Sequence, residues 1–120
     1  MKKVAGKVKR EKKKSFLLQE ISNLIRQIAA DDPRIKSIFV TKIELSKSGG
    51  ICYVYFSSYD SNYDPKEYLE VLKLYKPSVR TAMSKILQSK YIPDIRFTHD
   101  EGKDKERRIH ALLDEISQEG

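Results

Sequence analysis

Residues 68–90 read YLEVLKLYKPSVRTAMSKILQSK, and the reading of this run at Tyr75-Lys76-Pro77-Ser78 decides the fold. Tyr68, Leu69, Leu72 and Tyr75 form an apolar stripe at helical spacing before the proline, and Val79, Ala82, Met83, Ile86 and Leu87 form another after it. Pro77 lacks a backbone donor, and its ring meets the carbonyl of Lys73 in a continuous helix, at a cost of about 3 kcal/mol. The spacing therefore predicts two helices joined by a sharp kink or a break. Lys76, as the residue before proline, is pushed away from helical φ/ψ. Open N–H groups at the start of the second helix need partners, and Ser78 is the nearest side chain able to serve. Lys73, Lys76 and Arg80 fall at i, i+3 and i+7 on one face that flanks Tyr75 and Pro77. A positive corner with open N–H groups suits a phosphate. An ordinary solvated face on a helical hairpin explains the same residues.

Upstream of this run, Asp64-Pro65-Lys66-Glu67 marks a helix start, with Asp at the N-cap, Pro at the first helical position and Glu at the third. Before it, Ile51 to Ser58 alternates Cys52, Val54 and Phe56 with Tyr53, Tyr55 and Ser57, which predicts a strand with the first set inward. Ser48-Gly49-Gly50 is a hairpin turn signal. A partner strand is expected at about Ser37 to Ser46, alternating Phe39, Thr41, Ile43 and Leu45 with Ile38, Val40, Lys42 and Glu44. The polar pair Lys42 and Glu44 places the second set toward solvent for at least half its length. Leu17, Leu18, Ile21, Leu24, Ile25 and Ile28 predict a helix from Ser15 to near Ala30, stopped by Asp31-Asp32-Pro33.

Downstream, Pro93-Asp94-Ile95-Arg96-Phe97-Thr98 reads as a third strand with proline at its first residue. Ile109, Leu112, Leu113 and Ile116 predict a final amphipathic helix. The order is α-β-β-α-α-β plus a terminal helix, an α+β domain. Three strands cannot be covered on both faces by so few helices, so one side of the sheet is expected to be open.

The chain of 120 residues carries +7 net charge, with 34% charged and 39% hydrophobic residues. That composition is one globular domain with a wet surface. Residues 1–14 hold eight Lys/Arg against Glu11, residues 15–99 hold twelve basic and nine acidic groups, and residues 100–120 four and seven. The excess therefore sits in an N-terminal arm, 1–14, with almost no apolar content and expected to be disordered when free. A polyanion is the simplest partner, although a basic tail that only aids solubility has the same composition. The division expected is arm 1–14, body 15–100, and a charged helix or tail 101–120.

Cys52 is the single cysteine, which excludes an intrachain disulfide framework and a cysteine-built zinc site. No run approaches the ~20 apolar residues of a membrane span, and no secretory apolar region is seen, so the expectation is a cytoplasmic protein. His99-Asp100 could be half of a catalytic relay, but no serine lies in a nucleophile-elbow context and metal-ligand spacing is absent. Both His99 and His110 read as surface histidines, and no enzyme, metal or cofactor is expected. Tyr53 and Tyr55 on an open sheet could stack RNA bases. Cross-strand packing accounts for them equally without function.

Taken together, Asp32-Pro33-Arg34, the run Val40 to Ser46 leading into Tyr53-Val54-Tyr55-Phe56, Val79-Arg80, and Ile92-Pro93-Asp94-Ile95-Arg96-Phe97-Thr98-His99-Asp100 resemble the ribosome-binding factor A family across about residues 12–116. The resemblance implies a type II KH-like fold, in agreement with the element order above. It also resembles the family in lacking a GxxG loop, since no glycine falls between Gly50 and Gly102. The family's Ala-x-Gly kink aligns with Tyr75-Lys76-Pro77, where proline supplies a bend but no N–H.

The resemblance implies binding to the free or maturing small (30S) ribosomal subunit and its 16S rRNA, in support of late rRNA folding and 5′-end processing. The residues expected to meet RNA are Lys7, Lys9, Arg10, Lys12, Lys13 and Lys14 of the arm, and Lys73, Lys76, Ser78 and Arg80 at the corner. The chain is expected to act as a monomer and without a membrane. Two other readings stay open, a sequence-tolerant single-stranded RNA binder using the arm and open sheet, and a protein–protein adaptor.

Overall fold

The computed structural model describes the backbone of residues 2–88 and 91–119. Helix α1 (Lys2–Asp31) is followed by a single 3-10 turn (Pro33–Ile35), strands β1 (Ile38–Leu45) and β2 (Ile51–Ser58), helix α2 (Pro65–Leu87), strand β3 (Asp94–His99) and helix α3 (Glu101–Glu119). The sheet order is β1-β2-β3, with β1 antiparallel and β3 parallel to β2. This is an α+β, KH-like arrangement. Helix α1 packs over β1 and helix α2 over β3, on the same face.

The core is built at the periods the sequence announces. Leu17, Ile21, Ile25 and Ala29 come from α1, and Tyr68, Val71, Leu72, Val79 and Met83 from α2; they close on Cys52, Val54, Phe56, Ile43 and Ile95 of the sheet. Asp64 caps α2 as expected, its carboxylate accepting from the Lys66 N–H at 3.0 Å. The hairpin turn is also as expected, with Gly49 at φ 77° and its N–H donating to the Ser46 carbonyl at 2.9 Å.

Three expectations are corrected. First, α1 begins at Lys2 and not at Ser15, because the Lys, Arg, Glu and Ala of the arm are good helix formers and no proline interrupts them. Second, the paired helices are one helix, α2, assigned as continuous through Pro77. Leu72 before the proline and Val79 after it are both buried in the same core, at 0% and 1% exposure, so packing holds the two halves in line. Pro77 itself is exposed, where water can reach a backbone short of one donor. Ser78 is thus a mid-helix residue and caps nothing.

Third, the alternation in β1 changes phase. Val40 pairs with Phe56 and Lys42 with Tyr55, leaving Thr41 as the extra residue of a β-bulge. Ile38 and Val40 therefore pack on the core before the bulge, and Ile43 and Leu45 after it. The Thr41 hydroxyl donates to Asp100 Oδ2 at 2.6 Å, which ties the bulge to the β3–α3 junction. The open face carries Lys42, Glu44, Tyr53, Tyr55 and Arg96, with Glu44, Tyr53 and Arg96 in one cross-strand row.

Helix α3 is amphipathic as expected, and its apolar stripe is turned away from the core. Its buried residue is Asp104, and Ile109, Leu112, Leu113 and Ile116 are 54–65% exposed. It is held at the end of the sheet by Arg107, which donates to the Tyr59 carbonyl at 3.2 Å and lies over the Phe39 and Tyr59 rings, and by polar contacts to one carboxylate. Asp104 accepts hydrogen bonds from Ser57 and from Tyr63, the latter at 2.7 Å, and is paired with His99. Burial works to raise the Asp104 pKa, and the bonds from His99, Ser57 and Tyr63 outweigh it and hold the carboxyl below its ordinary value.

Candidate nucleic-acid interface

Lys73, Lys76 and Arg80 are brought together on one wall of an open cleft of about 600 Å³, whose lining includes Pro77 and Asp94. Their i, i+3, i+7 spacing keeps them on one stripe because the helix runs on through the proline. Asp94, at the start of β3, is the residue sequence reasoning missed. Its Oδ1 lies 3.1 Å from Lys76 Nζ. The bond from Lys76 holds the Asp94 carboxyl below its usual range, with a smaller contribution from the charge of Arg80. A spacing rule applied to α2 alone cannot find a counter-ion that arrives from the next strand.

Lys73 is fully on the surface, with Glu70 at 3.3 Å, an exposed pair that competes weakly with a phosphate. Arg80 is exposed on the same wall. The Thr81 hydroxyl donates to the Pro77 carbonyl at 3.0 Å and the Ser84 hydroxyl to the Thr81 carbonyl at 2.7 Å. Those hydroxyl protons are spent on the helix, so the donors aimed at the cleft are the three cations. Ser78 is exposed but does not line the cleft. The open N–H groups expected at a second helix start are engaged in one continuous helix.

Tyr75 points to the opposite side. Its hydroxyl donates to Asp32 Oδ2 at 2.6 Å, and Asp32 also accepts from the Arg34 backbone N–H at 3.0 Å and from its guanidinium at 2.9 and 2.7 Å. Arg34, then Tyr75, hold the Asp32 carboxyl far below the ordinary carboxylate range. The Asp32-Pro33-Arg34 run is thus the anchor that fixes the middle of α2 against the end of α1.

Of the arm's basic side chains, the described Lys12, Lys13 and Lys14 are not brought to the cleft. Lys12 and Lys13 are exposed, and Lys14 is half-buried with Glu44 of β1 at 3.6 Å. Helix α1 covers β1 and α2 covers β3, with β2 between, so the two basic groups occupy opposite edges of the sheet. The side chains of Lys7, Lys9 and Arg10 lie outside the described residues. On the open face, Lys42 Nζ sits 4.5 Å from the centre of the Tyr55 ring, so packing within the chain already uses one face of that tyrosine.

The Ser57, Asp104 and His99 cluster does not have the order of a hydrolytic relay. The carboxylate stands between serine and histidine, and Ser57 is 0% exposed. A relay needs the histidine between the other two. His99 is 21% exposed in its side chain and belongs to the α3 attachment, which corrects its reading as a surface residue. Burial pushes the Cys52 thiol up to about 11, an unreactive setting. Among the described residues, no group of three or more His, Cys, Asp or Glu could hold a metal ion, and no helix is long and apolar enough to cross a membrane.

A model of the family described as ribosome-binding factor A matches residues 9–113. The chain belongs to the ribosome-binding factor A family. A family member from Thermotoga petrophila is 36% identical over 105 residues, covering 84% of this chain and 80% of its own. The solution structure of a ribosome binding factor A from Thermotoga maritima superposes with a TM-score of 0.60 at 33% identity, over 75% of this chain and 89% of its own. The same fold appears, at 19% identity and a TM-score of 0.53, over 69% of this chain and 90% of a Thermus thermophilus ribosome binding factor A fitted into a cryo-EM map of a 30S complex. The cleft at Pro77 therefore belongs to a chain whose relatives carry a ribosome-binding name.

Proposed function

We propose that this chain binds the free or maturing small ribosomal subunit through 16S rRNA and supports late rRNA folding and 5′-end processing. It does so in the cytoplasm and by binding energy alone, favouring the rRNA conformation whose phosphates it meets. The observation that carries this reading is the single wall formed by Lys73, Lys76 and Arg80 beside Pro77 in a member of this family. The arm, 1–14, supplies sequence-independent attraction to RNA from the far edge of the sheet, and the body, 15–100, supplies the shaped contact. The order of the Asp104 cluster supports a non-enzymatic role, since the carboxylate stands between Ser57 and His99 and the serine is buried.

The experiment is sedimentation of tagged chain with ribosomal particles, run beside binding of Arg80→Glu and Lys73→Glu variants to purified free small subunits. The wild type is expected in the free small-subunit fraction and each variant is expected to bind at least about tenfold more weakly with an unchanged melting temperature. Equal association with assembled ribosomes, or normal binding by both variants, would overturn the reading.

A further inference from the structure

Strand β1 is an edge of the sheet, and between it and the flank of α1 lies a recess of about 340 Å³. Tyr59, the first residue past β2, forms one side of it. Both backbone groups of Tyr59 are fixed. Its N–H donates to the Ser37 carbonyl at 2.9 Å, and its carbonyl accepts from the Arg107 guanidinium at 3.2 Å. Its ring leans on Phe39 with centroids 4.4 Å apart, and the Arg107 guanidinium lies 5.9 Å from its centre. The residue is nevertheless 72% exposed. An aromatic ring anchored in this way and still open to water is a pre-organised platform.

Arg26 of α1 and Lys36 line the same recess. Both are exposed, and neither has an ion-pair partner among the described residues. No Asp or Glu lines the recess. The cleft at Pro77 differs in this respect, since Asp94 already holds Lys76 there.

We propose that this recess is a subsite for one unpaired nucleotide of the rRNA. Its base stacks on Tyr59, and Arg26 and Lys36 take the flanking phosphates. The proposal rests on RNA being the partner, as read above, and adds a contact at the opposite edge of the sheet from Lys73, Lys76 and Arg80. The chemistry selects this occupant. Every base has a π-face, so an exposed tyrosine flanked by unpaired cations accepts a single strand without a sequence requirement. A duplex keeps its bases stacked on one another and offers none. An acidic protein segment would satisfy the two cations and make no use of the ring. Continuity with the arm points the same way. Lys12 and Arg26 lie on one helix, about 40° apart around its axis and about 21 Å apart along it. A strand leaving the recess along α1 therefore runs toward the basic arm.

Fluorescence anisotropy of the full chain with a labelled oligoadenylate of about 12 nucleotides, and no ribosomal particle, tests this. Tyr59→Ala is expected to bind roughly five- to tenfold more weakly with an unchanged log–log salt slope, because stacking releases no counterions. Tyr59→Leu keeps an apolar side chain against Phe39, guards against a folding defect, and is expected to bind as weakly. Tyr59→Phe is expected to match the wild type. Arg26→Ala and Lys36→Ala are each expected to flatten the slope by roughly 0.7. An abasic oligomer of the same length is expected to bind wild type and Tyr59→Ala equally. Unchanged affinity in both Tyr59→Ala and Tyr59→Leu, or unchanged slopes in both cation variants, would overturn the proposal. Competition by an oligoglutamate as strong as that of unlabelled RNA would assign the recess to an acidic protein segment, and would overturn it too. These readouts are separate from subunit binding by Lys73→Glu and Arg80→Glu, so either reading can fail without the other.

Discussion

The Tyr75 hydroxyl donates to Asp32 Oδ2 at 2.6 Å, a bond that spans 43 positions of sequence and joins the middle of α2 to the end of α1. It lies two residues before Pro77, where the helix is short of one backbone donor. Tyr75→Phe removes that tie and leaves Asp32 its three bonds from Arg34. Asp32→Ala removes all four at once and orphans both donors. Circular dichroism melts are expected to show a modest loss for Tyr75→Phe and a clearly larger one for Asp32→Ala. Equal losses would mean that the Tyr75 bond alone carries the anchor.

Acid sensitivity follows from three carboxylates. Asp32, held down by Arg34 and then Tyr75, and Asp94, held down by Lys76, have folded values below the unfolded one. Asp104 is also lowered, since its bonds from His99, Ser57 and Tyr63 exceed the opposing effect of burial. Depressed carboxyl pKa values add stability that is complete above the unfolded value, about 4, and that drains as pH falls through the folded values beneath it. The melting temperature is expected to be level between about pH 7 and 5 and to fall below about pH 4. Asp104→Asn is expected to melt lower at neutral pH and to lose less on acidification.

Pro77→Ala is expected to stabilise the chain. The helix is already continuous, so alanine restores the bond to the Lys73 carbonyl without pulling Leu72 or Val79 from the core. An interior proline costs about 3 kcal/mol, and the freer unfolded chain takes back roughly 0.4–1 kcal/mol, while the native helix has already relaxed around the ring. A net gain of about 1–2 kcal/mol is expected in urea titration. A loss would mean that the proline sets a helix angle the core requires.

Deleting residues 1–14 is expected to change electrostatics and spare the fold. Leu17 is the first buried apolar residue among those described, and the Lys14–Glu44 pair is partly exposed and worth under about 1 kcal/mol. With about five arm cations near phosphates, the full chain's log–log salt slope is expected to be roughly −3 to −5. Fluorescence titrations with rRNA fragments at several salt concentrations would show a flatter slope for the deletion. An unchanged slope would make the arm a bystander.

What could be read from residue order was mostly local. The Asp64-Pro65 start, the Gly49 turn and the Cys52, Val54, Phe56 face each depend on neighbours within a few positions, and each is where its chemistry places it. Pro77 misled because its cost is local but the force that overrules it is not. Leu72 and Val79 reach one core only once β3 and α1 are assembled. The bulge at Thr41 depends on a partner, Asp100, that is 59 positions away, and a strict alternation cannot register it. In α3 the period reported a stripe correctly, but a period says nothing about which side a neighbour takes. The Lys73, Lys76 and Arg80 wall was visible from spacing on one helix, and its counter-ion Asp94 was not.

Asp94 also changes what arrival of a ligand means in the cleft. Lys76 is not an empty socket, because a tethered anion already sits 3.1 Å away. A phosphate that reaches it must exchange with a carboxylate present at high effective concentration, so the encounter is a substitution and not an addition. A free phosphate or chloride ion has little to offer in that trade. An RNA backbone that brings a second phosphate to Arg80 or Lys73 in the same encounter does. Where RNA binds this cleft as proposed, the carboxylate acts as a gate on valency, passing polyanions and turning single ions away.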